Sequence, residues 1–458
     1  MVKLHRALLV AGLTAAWAPS ARADEPGPRA VRLDEAISLA RAHAPALAAA
    51  RLRELAATSE VDAVRAQWSP RVGAFAQVVG ATANNSTTTL LGVSTVDVPR
   101  VGGTKVSSTM DLAPYASTAL ALGVRQQVFD FGRIAAERAA AEAVVEIERT
   151  RVAGAGIDLA SAVEQAFWAV LAARAVEDAT VAAVARATRH RDQAKANAQS
   201  GMRPPIELTR AEADLARYEA ATLRATASVH VARSVLAAVV SVPELELDAS
   251  PTDATPAALP TLASALDRGA NSPLVAELRA RVAAQRAETA RLAAQSLPNL
   301  FATAAVTTRA GGSAPSAGPV PVGDGWLPVV PNYDLAIVLA WPLVEPTLDR
   351  RVDAARARAS ATSAEAELTV RAQRAAIASA WREADVAVRS LDALARAAEA
   401  GRANYEQAER RFEVGLGTST EIADAQAIRT DLEIQLATAR YQVMRARASL
   451  ARAIAEVR

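Results

Sequence analysis

Glu421 and Asp424 stand three residues apart just after Gly415 and Gly417, in the run RRFEVGLGTSTEIADAQ over residues 410–426. On a helix that spacing puts both carboxylates on one face. Two fixed anions side by side attract cations, and like charges held close resist simultaneous ionisation. Acid–base catalysis would need partners that the surrounding sequence does not offer. Four histidines and no cysteine give no metal-ligand spacing, no nucleophilic triad and no phosphate-cradling glycine loop. His43, His190 and His230 read as ordinary helix residues, so no catalytic residue, metal or cofactor is expected. An earlier run, QSGMRPPIELTRAE, places Glu207 after Gly201 as Glu421 lies after Gly415, but puts Arg210 where Asp424 would fall.

The elements that position these groups begin behind a leader. Residues 1–23 carry Lys3 and Arg6, then an apolar run, then Ala21-Arg22-Ala23, the pattern of a cleaved secretory signal. The apolar run is well short of the ~20 residues that a spanning helix needs, and no later segment reaches that length without charges. An exported chain from about Asp24 is therefore expected, without a transmembrane helix. Aromatics make up only 4% of the 458 residues, low for a compact enzyme, and much of the apolar content is alanine. A net charge of +2 gives no bulk attraction to nucleic acid.

The chain repeats itself. One constant offset carries Pro45 onto Pro273 and Pro70 onto Pro298, and a second carries Gly201 onto Gly415, Glu207 onto Glu421 and Leu236 onto Leu450. The repeats are residues 24–242 and 261–458, with a proline-rich linker at 243–260. Each reads as helix, strand hairpin, very long helix, glycine tip and returning helix. The first helix is expected from about Asp34 to Gln67, and the strand hairpins over about 70–129 and 298–343. Leu120, Leu122, Val124 and Val128 alternate onto one strand face, as do Tyr333, Leu335, Ile337, Leu339 and Trp341. Trp68, Phe129, Phe131 and Trp341 sit at strand ends, where membrane-interface aromatics sit. With the leader, these strands point to a membrane barrel and would face lipid. Four strands per chain cannot close a barrel, and lipid tolerates no open edge. Two chains give eight strands with a filled interior, and three give twelve with room for a lumen, which favours a trimer. After the strands, some seventy residues run to about Gln199 without proline. In the last helix Ile428, Leu432, Leu436, Val443, Leu450, Ile454 and Val457 recur at a coiled-coil spacing. The glycine tips near 201 and 415 then join antiparallel helices, capped by Thr418 or Ser419 at the second and started by Pro204 and Pro205 at the first.

Taken together, VRLDEAISLARAHAPALAAAR, VRQQVFDFGRIAAE and RRFEVGLGTSTEIADAQ resemble the TolC-like outer-membrane efflux protein family over nearly the whole chain after its leader. The resemblance implies a mixed α and β fold. Three chains would form a trimeric twelve-stranded outer-membrane β-barrel, continued by a periplasmic α-helical barrel of coiled-coil hairpins. It implies passive export in a tripartite efflux or type I secretion system of a Gram-negative bacterium. The partners would be an inner-membrane transporter and a periplasmic adaptor protein. The family narrows its tunnel with acidic residues after the second tip glycine, which correspond to Glu421 and Asp424, with Glu207 at the first tip. Cations in such a ring would favour closure or block. The tip residues Gly201, Met202, Arg203, Val414, Gly415, Leu416 and Gly417 are the adaptor-contact candidates. This chain also departs from the family. Gly417 stands where some relatives carry a latch arginine and Phe412 where a latch tyrosine can occur, leaving Arg203 to pair with Glu207 or Glu421 in their place. The second strand–helix junction, WPLVEPTLDRR, lacks the Phe-Asp-Phe-Gly run of the first. The alternative is a periplasmic coiled-coil adaptor or structural envelope protein without a pore. Such adaptors generally carry one helical hairpin, whereas two are written here, each behind a strand hairpin.

Overall fold

The computed structural model describes residues 28–82, 114–251, 258–311 and 330–456. The leader at 1–23 and most of the two loops between paired strands lie outside the described residues. The chain opens with β1 (Arg29–Val31), α1 (Leu33–His43) and α2 (Pro45–Arg65), then β2 (Arg71–Thr82) and β3 (Pro114–Phe129). Next come α3 (Arg133–Gln199), α4 (Pro205–Val240), β4 (Leu247–Ala249), α5 (Leu262–Gly269) and α6 (Pro273–Ala293). The last elements are β5 (Asn299–Gly311), β6 (Val330–Ala340), α7 (Pro346–Glu413) and α8 (Ser419–Ala453).

The helix expected from Asp34 to Gln67 is two helices. Pro45 cannot supply an amide hydrogen to the ladder and forces Ala44 to ψ 118°, so α1 stops there and α2 restarts with proline at its first turn. Pro273 starts α6 in the same way, behind Ser272, whose side chain caps Val275 N. The segment 243–260, read as a linker, contains β4, which pairs in parallel with β1. Asp248 on β4 is buried and takes Arg174 of α3 and Arg233 of α4, so this short strand pins the first long hairpin at mid-height. Around it Val31, Ile37, Phe167, Trp168, Leu236 and Leu247 form the largest core cluster.

β2, β3, β5 and β6 form one antiparallel sheet in that order. One face exposes Val72, Val78, Leu120, Leu122, Tyr333, Leu335, Ile337 and Leu339. The other is mixed, with the Arg125 guanidinium 3.5 Å from the centre of the Phe301 ring. A bulge between Gln127 and Phe129 ends the regular pairing of β3 with β5. Asp130 follows and accepts from the amides of Gly132 and Ile134, while Phe131 (φ 54°) and Gly132 (φ 100°) turn the chain into α3. That is the physical content of the Phe-Asp-Phe-Gly run. The second junction does without it, starting α7 at Pro346 with no side-chain cap.

α3 has 67 residues and α7 has 68, so each spans about 100 Å. α4 returns along α3, and α8 returns along α7 while also packing on α3. Nearer the sheet, α2 and α6 take the places that α4 and α8 hold near the tips. The result is a row of helices with α3 and α7 running its full length. The buried positions of α7, among them Leu348, Val352, Ile377, Ala384, Gly401, Tyr405 and Phe412, form a single stripe. Leu368 and Val386 lie on its opposite face and are exposed. At the other side of the row α4 exposes Leu223, Val231 and Val235, and α2 exposes Leu52 and Leu55. α4 is apolar and long enough to cross a membrane by composition alone, yet its buried stripe is used up against α3. The α8 seam is buried at Val443, Leu450 and Ile454, but Ile428 is half exposed. There Gly401 of α7 admits Leu432 instead, a Cβ on Gly401 falling 2.8 Å from Leu432 Cδ1.

Candidate functional site

The two tips are built alike. Gly201 (φ 73°) and Gly415 (φ 80°) take the left-handed conformation that ends a helix. At each tip one carbonyl accepts two successive amides: Asn197 O from Met202 and Arg203, and Arg411 O from Leu416 and Gly417. Pro205 then starts α4. At the second tip Thr418 is the cap, accepting from Glu421 N at 3.2 Å, while Glu421 Oε2 accepts from Thr418 N at 3.3 Å.

Glu421 therefore has a structural task, and it also lies 4.0 Å from Arg411 Nε with its side chain half exposed. Asp424, one turn on, is exposed and makes no hydrogen bond or ion pair among the described residues. The two share a helix face as their spacing requires. Glu207 is placed differently. It is mostly buried, 3.5 Å from Arg203 Nη1, and its Oε2 has no partner. Arg210, which stands where a second acid would be, crosses to Thr420 Oγ1 at 2.5 Å.

Arg203 joins the tips. Its Nη2 donates to Gly417 O at 2.9 Å, and its guanidinium stands 5.2 Å from the centre of the Phe412 ring. Of its two expected partners it meets Glu207, while Glu421 is taken by Thr418 and Arg411. Gly417 is buried, and an added Cβ would lie 2.9 Å from Phe412 N and 3.1 Å from Arg411 C, both backbone atoms. A side chain at 417 would collide with the end of α7, which is why the close turn over Phe412 requires glycine. Among the adaptor-contact candidates, Met202, Val414 and Leu416 are exposed alongside Gly201 and Gly415, whereas Arg203 and Gly417 are turned onto each other. Ile206, which the sequence reading passed over, extends the exposed apolar surface at the first tip. Its position in the first turn of α4, behind two prolines, was the available signal.

Beneath the tips, Phe412, Tyr405, Ile422 and Ala425 form an apolar cluster, and His190 of α3 packs edge-on against Phe412 at 5.3 Å. Further along, Glu433 of α8 receives Arg186 of α3 at 3.0 Å, Arg429 at 3.0 Å and Arg402 of α7 at 3.4 Å, tying three helices together. Burial pushes the Glu433 carboxyl up, but its hydrogen bond from Arg429 and the nearby Arg186 outweigh this and hold it below the usual value. Burial and its hydrogen bond to Glu409 push the Tyr405 phenol up to about 12. Among the described residues no cluster of histidine and carboxylate side chains has the makings of a metal site.

This architecture is that of known channels. The chain superimposes on the outer-membrane channel OprN with a TM-score of 0.72 at 19% identity, covering 92% of this chain and 89% of that one. The outer membrane protein VceC from Vibrio cholerae gives 0.71 at 17% identity, with coverage of 92% and 95%. The Campylobacter jejuni outer membrane channel CmeC gives 0.73 at 14%, with coverage of 92% and 85%. Identities this low establish a shared fold. No curated protein sequence matches the chain. The family model for outer membrane efflux proteins, however, matches residues 36–241 and 267–456, one match to each repeat. With both repeats matched and the same helices and sheet in place, the chain belongs to the outer membrane efflux protein family, and its place is the outer membrane.

Proposed function

We propose that three copies of this chain close a twelve-stranded barrel in the outer membrane and continue it as a helical tunnel into the periplasm. The tunnel conducts substrate passively, from an inner-membrane transporter and a periplasmic adaptor to the exterior. The open borders of the single chain are the observation that carries this reading. Among the described residues β2 and β6 each have an unpaired edge beside an exposed apolar face, a combination that lipid does not tolerate unless neighbouring copies pair those edges. The helix row is bordered by exposed Leu368 and Val386 of α7 on one side and by the exposed apolar side chains of α2 and α4 on the other. Ring closure would bury each against the next copy. A coiled-coil adaptor or envelope protein without a pore leaves the apolar sheet face without a use.

In such a trimer Glu421 and Asp424 form the acidic constriction at the periplasmic end, and Arg203 with Glu207 holds the tips together above it. Met202, Val414 and Leu416, with Ile206, present the apolar tip surface to the adaptor. The test is single-channel conductance of purified protein in planar bilayers, with the wild type against Glu421→Ala/Asp424→Ala. The reading expects a small wild-type conductance that divalent cations reduce, and weaker block in the double variant. Well-folded trimers that pass no current would overturn the pore, and an unchanged block in the double variant would move the constriction elsewhere.

A further inference from the structure

His190 and Glu207 have no role in the fold that would require them to titrate. His190 is buried, and among the described residues neither ring nitrogen has a hydrogen-bond partner. Nearby Glu207 has one oxygen bonded to nothing. An alanine or leucine at 190 would pack against Phe412 without leaving two polar atoms unsatisfied. Two orphaned polar groups flank the side chains that hold the tips: His190 touches Phe412, and Glu207 touches Arg203, which itself stands over Phe412.

The charges around His190 are unequal. From α4 come Glu207 and Asp214, and from the first tip Arg203 lies across the Phe412 ring. α7 contributes Phe412 itself, and α8 adds Ile422 and Ala425 to the same apolar cluster. On its own helix, Arg186 is committed to Glu433 and Arg191 to Asp192. Burial holds the imidazole below its ordinary value of 6.5, while Asp214 and Glu207 act in the opposite sense. Burial in the joined tips therefore disfavours the imidazolium.

We infer that His190 is a proton-operated release for the contact between the tips: on taking up a proton from solvent it draws the Glu207 carboxylate from Arg203, and Arg203 lets go of Gly417. An imidazolium cannot stay buried without a counter-charge, and the unoccupied Oε2 of Glu207 belongs to the carboxylate whose Oε1 faces Arg203. The sign follows from linkage. The joined state has the lower affinity for the proton, so it is favoured above the ordinary histidine range and loses ground as pH falls through it. One proton per chain changes the balance by at most about tenfold per pH unit. The consequence for conduction rests on the channel reading above, whereas the tip contact itself does not.

The chain has no cysteine, so spin labels can be placed at Met202→Cys and Leu416→Cys alone. Labelled chains are diluted with unlabelled ones in proteoliposomes, so that only distances within a chain are read, from about pH 8 to about pH 5. The short inter-tip distance should dominate at the upper end and give way to a longer one at the lower. His190→Phe should keep the short distance throughout, and Asp214→Asn, which removes a charge favouring imidazolium, should shift the change to lower pH. A wild-type distance that ignores pH, or a His190→Phe variant that changes like the wild type, overturns the inference. Should His190→Phe fail to assemble, an unmoved midpoint in Asp214→Asn overturns it equally. Conductance recorded in parallel separates the two readings: tips that part at low pH without a change in current uphold the switch and sink the gate.

Discussion

Arg203→Ala removes the side chain that reaches Gly417 from the first tip, leaving the Arg210 bond to Thr420 in place. Arg203 Nη2 donates to Gly417 O at 2.9 Å, an interaction of a charged donor worth about 1.5–3 kcal/mol. The Phe412 ring at 5.2 Å adds about 0.5–1 kcal/mol. Glu207 is only 17% exposed in its side chain, so losing its cation leaves a largely buried carboxylate uncompensated, which deepens the loss. The joined arrangement should weaken by about 3 kcal/mol per chain, or about 150-fold in its equilibrium. Two readouts follow. The amides of Gly417 to Glu421 should exchange with solvent faster by that order, and the channel should spend more time conducting. Adding Glu207→Gln should restore part of the protection, because the orphaned charge goes with it. Unaltered exchange at the second tip in Arg203→Ala would refute the reasoning, whatever the current does, because no other bond from the first tip reaches Gly417 in the described residues.

Gly417→Ala should destabilise the second tip by about 1–3 kcal/mol, because the new Cβ meets backbone rather than a yielding side chain; faster proteolysis between Val414 and Thr418 at unchanged trimer yield would show it. Glu421→Ala and Asp424→Ala should separate. The first gives up the capping box, about 1 kcal/mol of local stability seen in amide exchange, while the second should leave exchange alone and change only cation block. Glu433 is held below its ordinary value of 4.5, so its contribution is intact above that pH and is lost as pH falls through the lower, folded value. An acid unfolding profile of Glu433→Gln should accordingly lack the wild type's final step below about pH 4.5.

Much of this molecule was legible because its elements are long. A 67-residue helix without proline and strands of strict alternation leave few other readings, and the repeat fixed which glycines end helices. What escaped was short or distant in sequence. β1 and β4 have three residues each and pair across the whole first hairpin, so no periodicity announces them. The break at Pro45 was open to reading, but helical spacing on both sides disguised it. Ile428 continues the run through Leu432 and Leu436 in steps of four and still faces out, because α8 divides its contacts between α7 and α3 and Gly401 draws Leu432 inward. At the site, spacing correctly set Glu421 beside Asp424, but it could not show that Glu421 caps its own helix. Arg203 was named as a substitute latch, yet its contact with Gly417 crosses between the two repeats and follows only from the packing of α3 against α8.

The order of strands in the sheet has a consequence for how this protein is made. β2 and β3 emerge early in synthesis, β5 and β6 late, and among the described residues the two hairpins are bridged by β3 against β5. The four helices α3 to α6 must cross the inner membrane before that bridge can close. Until then a hairpin with an apolar face stands alone, and a two-stranded hairpin is marginal in water. Pairing so distant is slow, and unpaired edges are prone to aggregate. The long helices carry their own local contacts and can fold while the sheet waits. Export of this chain therefore leaves two apolar hairpins apart, each needing cover until the second repeat arrives.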